Sequence, residues 1–239
     1  MCQGRISSDR LSDGITHLTF DCYGTLIDWE QGLLSALKPW LVRSGGNASA
    51  EALLRSFVTH EARIEAGSWR PYREVLRGVM SGIAFDLGIA LRESDAGLLA
   101  DSLPSWPPFP DTVTGLTVLS KAYKLVIVSN IDDDLITATQ KELKVTFAEV
   151  ITAEQVRSYK PAMAHFREVP RRLGVPVGRI LHVAQSLYHD HAPAQRLGFR
   201  TAWVKRPSLL SRTGLAPEAH VQPNLVFPDL KTLAAALVS

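Results

Sequence analysis

Apolar and polar positions alternate in two different ways along this 239-residue chain. Between residues 28 and 103, apolar residues recur at spacings of three and four, which predicts four consecutive helices. Beyond residue 110, uninterrupted apolar runs such as KLVIVSN (124–130) alternate with helical stretches. One similar run, THLTF (16–20), lies before the predicted helices. Four prolines lie within residues 104–111, where the pattern changes, and they mark the best candidate for a linker.

The uninterrupted apolar runs predict strands that are buried on both faces. Such strands alternating with helices are typical of an α/β protein whose parallel sheet is covered by helices on each side. We therefore predict a flexible leader over residues 1–14, a core domain over 15–30 and 110–239, and an inserted helical domain over 31–109. Pro161 is expected near the start of a core helix, and Pro170 is expected to kink or break that helix.

Polar residues follow several of the predicted strands, where each strand ends. In open α/β sheets, ligands bind outside the carboxyl ends of the strands, so we expect these side chains to meet at one edge. They are Asp21, Tyr23 and Thr25; Ser129 and Asn130; Tyr159 and Lys160; and Gln185, Ser186, His189 and Asp190.

A chemical role is available for each part of this group. Asp21 can act as a carboxylate nucleophile that forms an ester intermediate, and Lys160 nearby would keep it ionised. Ser129 and Asn130 precede a helix and can bind an anion, and Asp190 can orient the hydrolytic water. Taken singly, each residue also fits a structural role, such as capping a turn or a helix, so the prediction rests on the combination.

Composition narrows the possible partners and location. Lys+Arg 26 against Asp+Glu 24 gives a net charge of +2, which does not favour a nucleic-acid partner. No apolar run approaches the roughly 20 residues of a membrane span, and residues 1–14 contain no apolar signal region. Cys2 and Cys22 offer no disulfide framework. These features indicate a soluble, cytoplasmic protein.

Four short motifs in order resemble the haloacid dehalogenase superfamily of hydrolases. They are DCYGTL (21–26), VSN (128–130), YKP (159–161) and HVAQSLYHD (182–190). The resemblance covers residues 15–239. It implies a Rossmann-like core of parallel strands with a helical cap inserted after the first strand.

Two positions separate this chain from most of that superfamily, which are magnesium-dependent phosphatases. Their first motif carries a second aspartate as general acid, and the position here is Tyr23. Their fourth motif supplies a further aspartate to the metal, and the position here is Gln185. A phenol is a poor acid and a neutral amide a poor Mg²⁺ ligand, so we expect no metal and no cofactor.

The aromatic residue in the first motif resembles the (S)-2-haloacid dehalogenase branch, which works without metal and is commonly dimeric. That resemblance implies attack by Asp21 on C2 of a 2-halocarboxylate, with Thr25, Lys160 and Asp190 as further catalytic residues. It also implies a set of substrate-binding groups: Ser129 and the backbone N–H groups near Cys22 and Tyr23 for the carboxylate, and Asn130 with a cap arginine for the halide. Arg63 is favoured over Arg70 and Arg73 because it falls on the second cap helix.

The sequence departs from that branch around the hydrolytic water. QSL (185–187) replaces the usual Ser-Ser-Asn, and Phe166 replaces a supporting tyrosine. Gln185, Ser186, Tyr188 or His189 would then surround the water. Two alternatives therefore stay open: a hydrolase of the same fold with another substrate, such as a different 2-substituted carboxylate or a phosphate ester, and a non-catalytic protein that keeps the fold.

Overall fold

The computed structural model of the protein describes residues 13–210 and 219–238, so almost all of the predicted leader lies outside the described residues. The centre of the molecule is a parallel sheet. Its six strands are His17–Phe20 (β1), Lys124–Ser129 (β2), Glu149–Thr152 (β3), Ile180–Ala184 (β4), Arg200–Val204 (β5) and Leu225–Phe227 (β6). They are arranged in the order β3-β2-β1-β4-β5-β6, and every neighbouring pair is parallel.

Four helices lie between β1 and the proline-rich segment, as the sequence predicts. They are Trp29–Arg43 (α1), Ala50–Glu65 (α2), Tyr72–Asp86 (α3) and Leu98–Ser102 (α4). Ser49 caps α2 by accepting a hydrogen bond from the amide of Ala52 at 3.1 Å. The apolar stripes of these helices form one continuous buried core with the near face of the sheet. We refer to this helical insertion as the cap.

Six more helices accompany the sheet after the cap. They are Thr112–Leu119 (α5), Asp133–Leu143 (α6), Ala153–Val156 (α7), Ala164–Leu173 (α8), Ala192–Arg196 (α9) and Leu230–Val238 (α10). Apolar side chains bury both faces of the sheet: Val126, Val128 and Phe166 belong to one cluster, and Phe20 and Ile127 belong to the other. The predicted α/β class, with a Rossmann-like sheet and a helical cap after the first strand, is confirmed.

The predicted helix start near Pro161 and the predicted break at Pro170 are wrong. Pro161 does not start a helix; α8 begins three residues later, at Ala164, and the Lys160–Pro161 peptide bond is cis in the preceding loop. Pro170 lies inside α8 without ending it. The helix stops at Leu173, before Gly174 in the left-handed conformation, so only one short turn follows the proline and little helix remains to be disrupted.

Acidic residues of the core bind the backbone of the cap. The Asp132 carboxylate accepts hydrogen bonds from the backbone amides of Tyr72 and Arg73 at 2.7 and 2.8 Å, which caps the start of α3 from outside that helix. Arg73 also pairs with Asp134 at 2.6 Å, and the Tyr159 hydroxyl donates to the Arg70 carbonyl at 2.8 Å. These bonds fix where the cap lies over the end of β2.

Candidate active site

A tight turn directly after β1 carries the first motif. The carbonyl of Cys22 accepts hydrogen bonds from the amides of Thr25, Leu26 and Ile27 at 2.7–3.2 Å. Gly24 has a φ of +91°, a conformation that residues with a Cβ adopt only with strain. This turn aims Asp21 and Thr25 toward the carboxyl end of the sheet.

Three charged side chains meet at that end, as the sequence predicts. The Lys160 ammonium lies 2.8 Å from Asp21 Oδ1 and 2.7 Å from Asp190 Oδ1, and it also donates to the Val128 carbonyl at 3.0 Å. All three charged groups are buried, and Lys160 is only 2% exposed. One cation therefore bridges two carboxylates that come from different strands.

The two carboxylates differ in how easily they ionise. Burial raises the pKa of Asp21, and the neighbouring Asp190 charge adds to that effect, while Lys160 and Thr25 oppose it. The pKa of Asp190 is lowered, because the attraction of Lys160 together with the hydrogen bond from His182 outweighs the burial. Asp190 is thus the firmly ionised member. Lys160 favours ionisation of Asp21, as expected from the sequence, without bringing its pKa down to the ordinary value.

Thr25 orients the Asp21 carboxylate. Its hydroxyl donates to Asp21 Oδ2 at 2.6 Å and accepts a hydrogen bond from the backbone amide of Gln185 at 2.9 Å. One carboxylate oxygen of Asp21 therefore bonds Lys160 and the other bonds Thr25. With both oxygens held, the orientation of the Asp21 carboxylate is fixed.

Sequence reasoning missed a residue that supports Asp190. His182 Nε2 lies 3.1 Å from Asp190 Oδ1, and His182 Nδ1 lies 2.8 Å from the Thr19 hydroxyl. Thr19 on β1 is the register partner of His182 on β4. The signal that could have identified this pair is a polar residue at the centre of each buried strand.

Asn130 takes a different position from the one expected. Its side-chain amide donates to the Lys160 carbonyl at 3.2 Å and accepts from the Lys160 amide at 2.7 Å. Both ends of the amide therefore hold the backbone of Lys160. Ser129 is buried at the end of β2, close to this contact.

Tyr23 is directed away from Asp21. Its hydroxyl hydrogen-bonds the Thr139 hydroxyl of α6 at 2.7 Å, and its ring meets Trp106 edge-on with 5.9 Å between centroids. Burial raises the pKa of the phenol further above its ordinary value of about 10. This phenol is consequently not suited to protonate a leaving group.

The fourth motif continues from β4 into a turn of π-helix, Leu187–His191. Such turns are rare and occur mostly at functional sites. Ser186 caps the turn by accepting from the His189 amide at 3.0 Å, and the Tyr188 and His189 rings are in edge-on contact at 4.9 Å. All four candidates for the water shell (Gln185, Ser186, Tyr188 and His189) line one cavity together with Tyr23 and Gly24.

This cavity lies between the cap and the carboxyl end of the sheet. It has a volume of about 690 Å³. Its walls are mostly aromatic and apolar side chains: Trp29, Phe57, Val58, Trp106, Phe109, Leu187, Trp203 and Leu210. An opening of this kind beside the buried charges is where a substrate can enter.

The cap presents acids, not an arginine, to this cavity. Arg63 is exposed and lies 3.1 Å from His60, Arg70 is exposed, and Arg73 is paired with Asp134 and Asp101. None of the three is among the residues that line the cavity. Glu61 lines it instead, and it accepts a hydrogen bond of 2.5 Å from the Tyr72 hydroxyl. The sequence offered no signal for this, because polar residues at 59–61 and again at 63 leave the side of α2 that faces the cavity ambiguous.

The donor set does not fit a magnesium ion. Asp21 and Asp190 are the carboxylates at the sheet edge, and the Lys160 ammonium already lies between them. The position of the superfamily's general acid carries a phenol bonded to α6, and the position of its further metal ligand carries a neutral amide. Within residues 13–210 and 219–238, no cluster of three or more His, Cys, Asp or Glu side chains could hold a metal.

Comparison with known proteins agrees with this arrangement. The sequence profile of the haloacid dehalogenase-like hydrolases matches residues 18–204. The chain belongs to this family. The (S)-2-haloacid dehalogenase of Pseudomonas putida is 24% identical to this hydrolase over 228 residues, which cover 94% of the chain and 97% of that protein.

Solved structures of the same family share its fold. The L-2-haloacid dehalogenase PA0810 superimposes with a TM-score of 0.81 at 22% identity, covering 93% of this chain and 98% of the other. The L-2-haloacid dehalogenase from Xanthobacter autotrophicus with chloropropionic acid covalently bound gives a TM-score of 0.75 at 23% identity, covering 92% and 97%. Within the described residues, no helix of this hydrolase is long and apolar enough to cross a membrane.

Proposed function

We propose that this hydrolase is a 2-haloacid dehalogenase that works without metal and uses Asp21 as its nucleophile. The observation that carries the proposal is the buried bridge from Asp21 through Lys160 to Asp190, beside a cavity lined by the adjoining motif residues. The similarity to (S)-2-haloacid dehalogenases supports a carbon–halogen bond as the bond that is broken.

In the first step, an oxygen of Asp21 attacks C2 of the substrate. The C–X electron pair leaves with the halide, and an aspartyl ester remains. A halide is a weak base, so this step needs no general acid, which agrees with the engagement of Tyr23 by Thr139. Ser129 and the backbone amides beside Cys22 and Tyr23 are the proposed donors to the substrate carboxylate.

In the second step, water attacks the carbonyl carbon of the ester and the hydroxy acid leaves. Asp190 is ionised and adjacent to Lys160, so it can orient that water or accept its proton. Gln185, Ser186, Tyr188 and His189 line the cavity next to it and are the proposed water shell. Lys160 offsets the negative charge of Asp190 in both steps, and that of Asp21 before the ester forms and after it is hydrolysed.

A second candidate function is a hydrolase of the same scaffold that acts on another 2-substituted carboxylate. The specific observation in its favour is the cap, where Glu61 lines the cavity and Arg63, Arg70 and Arg73 do not. A halide-binding cation from the cap is therefore missing from the lining. Asn130 is also held by Lys160, so we do not assign it a role toward the halide.

The experiment that tests the proposal is halide release from (S)- and (R)-2-chloropropionate, chloroacetate and fluoroacetate, with p-nitrophenyl phosphate beside them and no added metal. Release of halide from one enantiomer in preference to the other is the expected result. Phosphate release without halide release would contradict it. Turnover of neither class would favour the second candidate.

We further propose a cap domain over residues 31–109, a cytoplasmic location and a homodimer. The buried, unpaired thiol of Cys22 fits a reducing compartment. On the cap, Phe85 at the end of α3 is 83% exposed and Val42 at the end of α1 is 78% exposed, which fits a contact with a second copy. Light scattering of the wild type and of Phe85→Glu tests the dimer.

A further inference from the structure

The cavity is larger than a short haloacid requires. A molecule with six heavy atoms displaces roughly 100–200 Å³ if each atom takes about the volume of a liquid water molecule. The cavity measures about 690 Å³, within the range of roughly 300–1,000 Å³ that holds drug-sized ligands. Most of its space would remain unused by 2-chloropropionate, which implies a substrate with a tail beyond C2.

Three acids line the cavity: Asp28, Glu30 and Glu61. Asp28 caps α1 through the Gln31 amide, and Glu30 accepts from the Ser208 hydroxyl and the Leu209 amide, so Glu61 is the acid that we consider for the tail. It lies on α2 one turn after Phe57, and both side chains line the cavity. The Tyr72 hydroxyl holds one of its oxygens, and no lysine or arginine forms an ion pair with it among the described residues. Burial raises the pKa of Glu61 to about 7. Glu61 is half-buried in the wall of the cavity, and among the described residues its partner is the Tyr72 hydroxyl, with no cation beside it.

A second acid strengthens the negative character of this wall. Glu65 follows Glu61 by one helical turn, and burial, with the neighbouring Glu61 charge, raises its pKa well above the ordinary value. Lys160 is the cation whose charge reaches Glu65, but its ammonium is already bonded to Asp21 and Asp190. Among the described residues, the deficit of positive charge around Glu61 therefore stays uncompensated.

The remaining walls suit a cation as well. Trp29 and Phe57 stack at 5.4 Å, and Trp106 joins Tyr23 edge-on, so aromatic faces and edges surround the space. Aromatic faces attract ammonium groups by about 0.5–2 kcal/mol in general. Among the described residues, Arg206 is the arginine that lines the cavity, and its guanidinium already donates to Asp111 at 2.6 Å. An anionic tail would therefore find this arginine already paired.

We propose that the substrate of this hydrolase carries a positively charged amino group on an aliphatic tail, which Glu61 binds within the aromatic cavity while the carboxylate end meets Asp21. The substrate class is thus a 2-halo acid with a distal ammonium group. This inference rests on the proposed dehalogenation for the reactive end of the molecule. Glu61 is a specificity-determining residue in it and takes no part in bond breaking.

The test compares kcat/KM for (S)-6-amino-2-bromohexanoate and (S)-2-bromohexanoate at about pH 8, where the alkylammonium is charged. The expected preference of the wild type for the amino substrate is about tenfold or more. In Glu61→Gln, which keeps an acceptor for Tyr72, we expect the ratio to fall to within about threefold of one. Glu51→Gln is the matched control, because Glu51 is exposed at the other end of α2, and it should keep the wild-type ratio.

Equal kcat/KM for the two substrates in the wild type would overturn the inference and leave the dehalogenase proposal standing. Calorimetry that compares the binding of 6-aminohexanoate with that of hexanoate tests the tail site without requiring turnover. If no haloacid is turned over but 6-aminohexanoate binds more tightly and Glu61→Gln removes the difference, the dehalogenase proposal fails and the tail site stands. Equal binding of the two acids overturns the inference independently of turnover.

Discussion

Replacing Lys160 by methionine is the most informative change in the site. The substitution keeps an unbranched side chain of similar length but removes the ammonium and three hydrogen bonds of 2.7–3.0 Å. It leaves Asp21 and Asp190 in a buried position without a cation. Breaking a buried pair by removing one partner typically costs about 3–5 kcal/mol, since the remaining charge is uncompensated. We expect a loss of that size in the free energy of unfolding at neutral pH, and loss of turnover.

The pH dependence of that loss follows from the two aspartates. Without Lys160, burial and mutual repulsion raise the pKa of the pair in the folded state above the unfolded value of about 3.9. A group with a raised folded pKa contributes stability below the unfolded pKa and loses it as the pH rises through the folded pKa. In the wild type the lowered pKa of Asp190 acts in the opposite direction. The difference between variant and wild type should therefore be largest near pH 7 and shrink toward pH 4.

Urea denaturation followed by circular dichroism measures the effect. With an m value of about 2–3 kcal/mol/M, the expected loss moves the midpoint by about 1–2 M. The double variant Lys160→Met/Asp190→Asn should be less destabilised than Lys160→Met, because it removes one of the two buried carboxylates that have lost their cation. Lys121→Met, at an exposed lysine, is the control. A midpoint for Lys160→Met within about 0.4 M of the wild type, unchanged by pH, would refute the view that Lys160 compensates buried charge.

Asp21→Asn should abolish turnover without lowering the free energy of unfolding, because Lys160 remains paired with Asp190. Normal halide release by this variant would exclude Asp21 as the nucleophile. Thr25→Val removes the 2.6 Å hydrogen bond to Asp21 and the acceptor of the Gln185 amide. It should lower the free energy of unfolding by about 1–3 kcal/mol and should change kcat more than KM. Thr25→Ser keeps the hydroxyl and should recover most of kcat. Because the pKa of Asp21 is raised, kcat/KM should fall as the pH is lowered, with an apparent pKa above the ordinary aspartate value of about 3.9. A kcat/KM profile that stays flat down to pH 4 would contradict this assignment. Dialysis against EDTA should leave the rate unchanged, whereas a loss that Mg²⁺ restores would favour phosphoryl transfer.

Strand ends were enough to predict which charged side chains meet at the edge of the sheet. Asp21, Lys160 and Asp190 are separated by up to 169 positions in the chain, yet a parallel sheet brings the carboxyl ends of its strands to one edge. The same reasoning predicted the order of strands and helices, because apolar periodicity depends on local geometry alone. Pro170 in α8 is the exception: whether a proline disrupts a helix depends on where that helix ends, and Gly174 sets that end.

Tertiary packing decided which side chains of each cap helix face the cavity. Glu61 and Arg63 lie about 200° apart around α2, so the side of this helix that packs toward the sheet determines which of them reaches the cavity. Contacts between distant segments were equally hidden: Asp132 caps α3 across 60 positions, and His182 meets Thr19 across 163. The sequence by itself determined the sheet edge and the charged side chains that meet there, through local patterns and strand ends. The acid that faces the substrate tail was decided only when the cap packed over the sheet, since that packing buries the chosen face of α2.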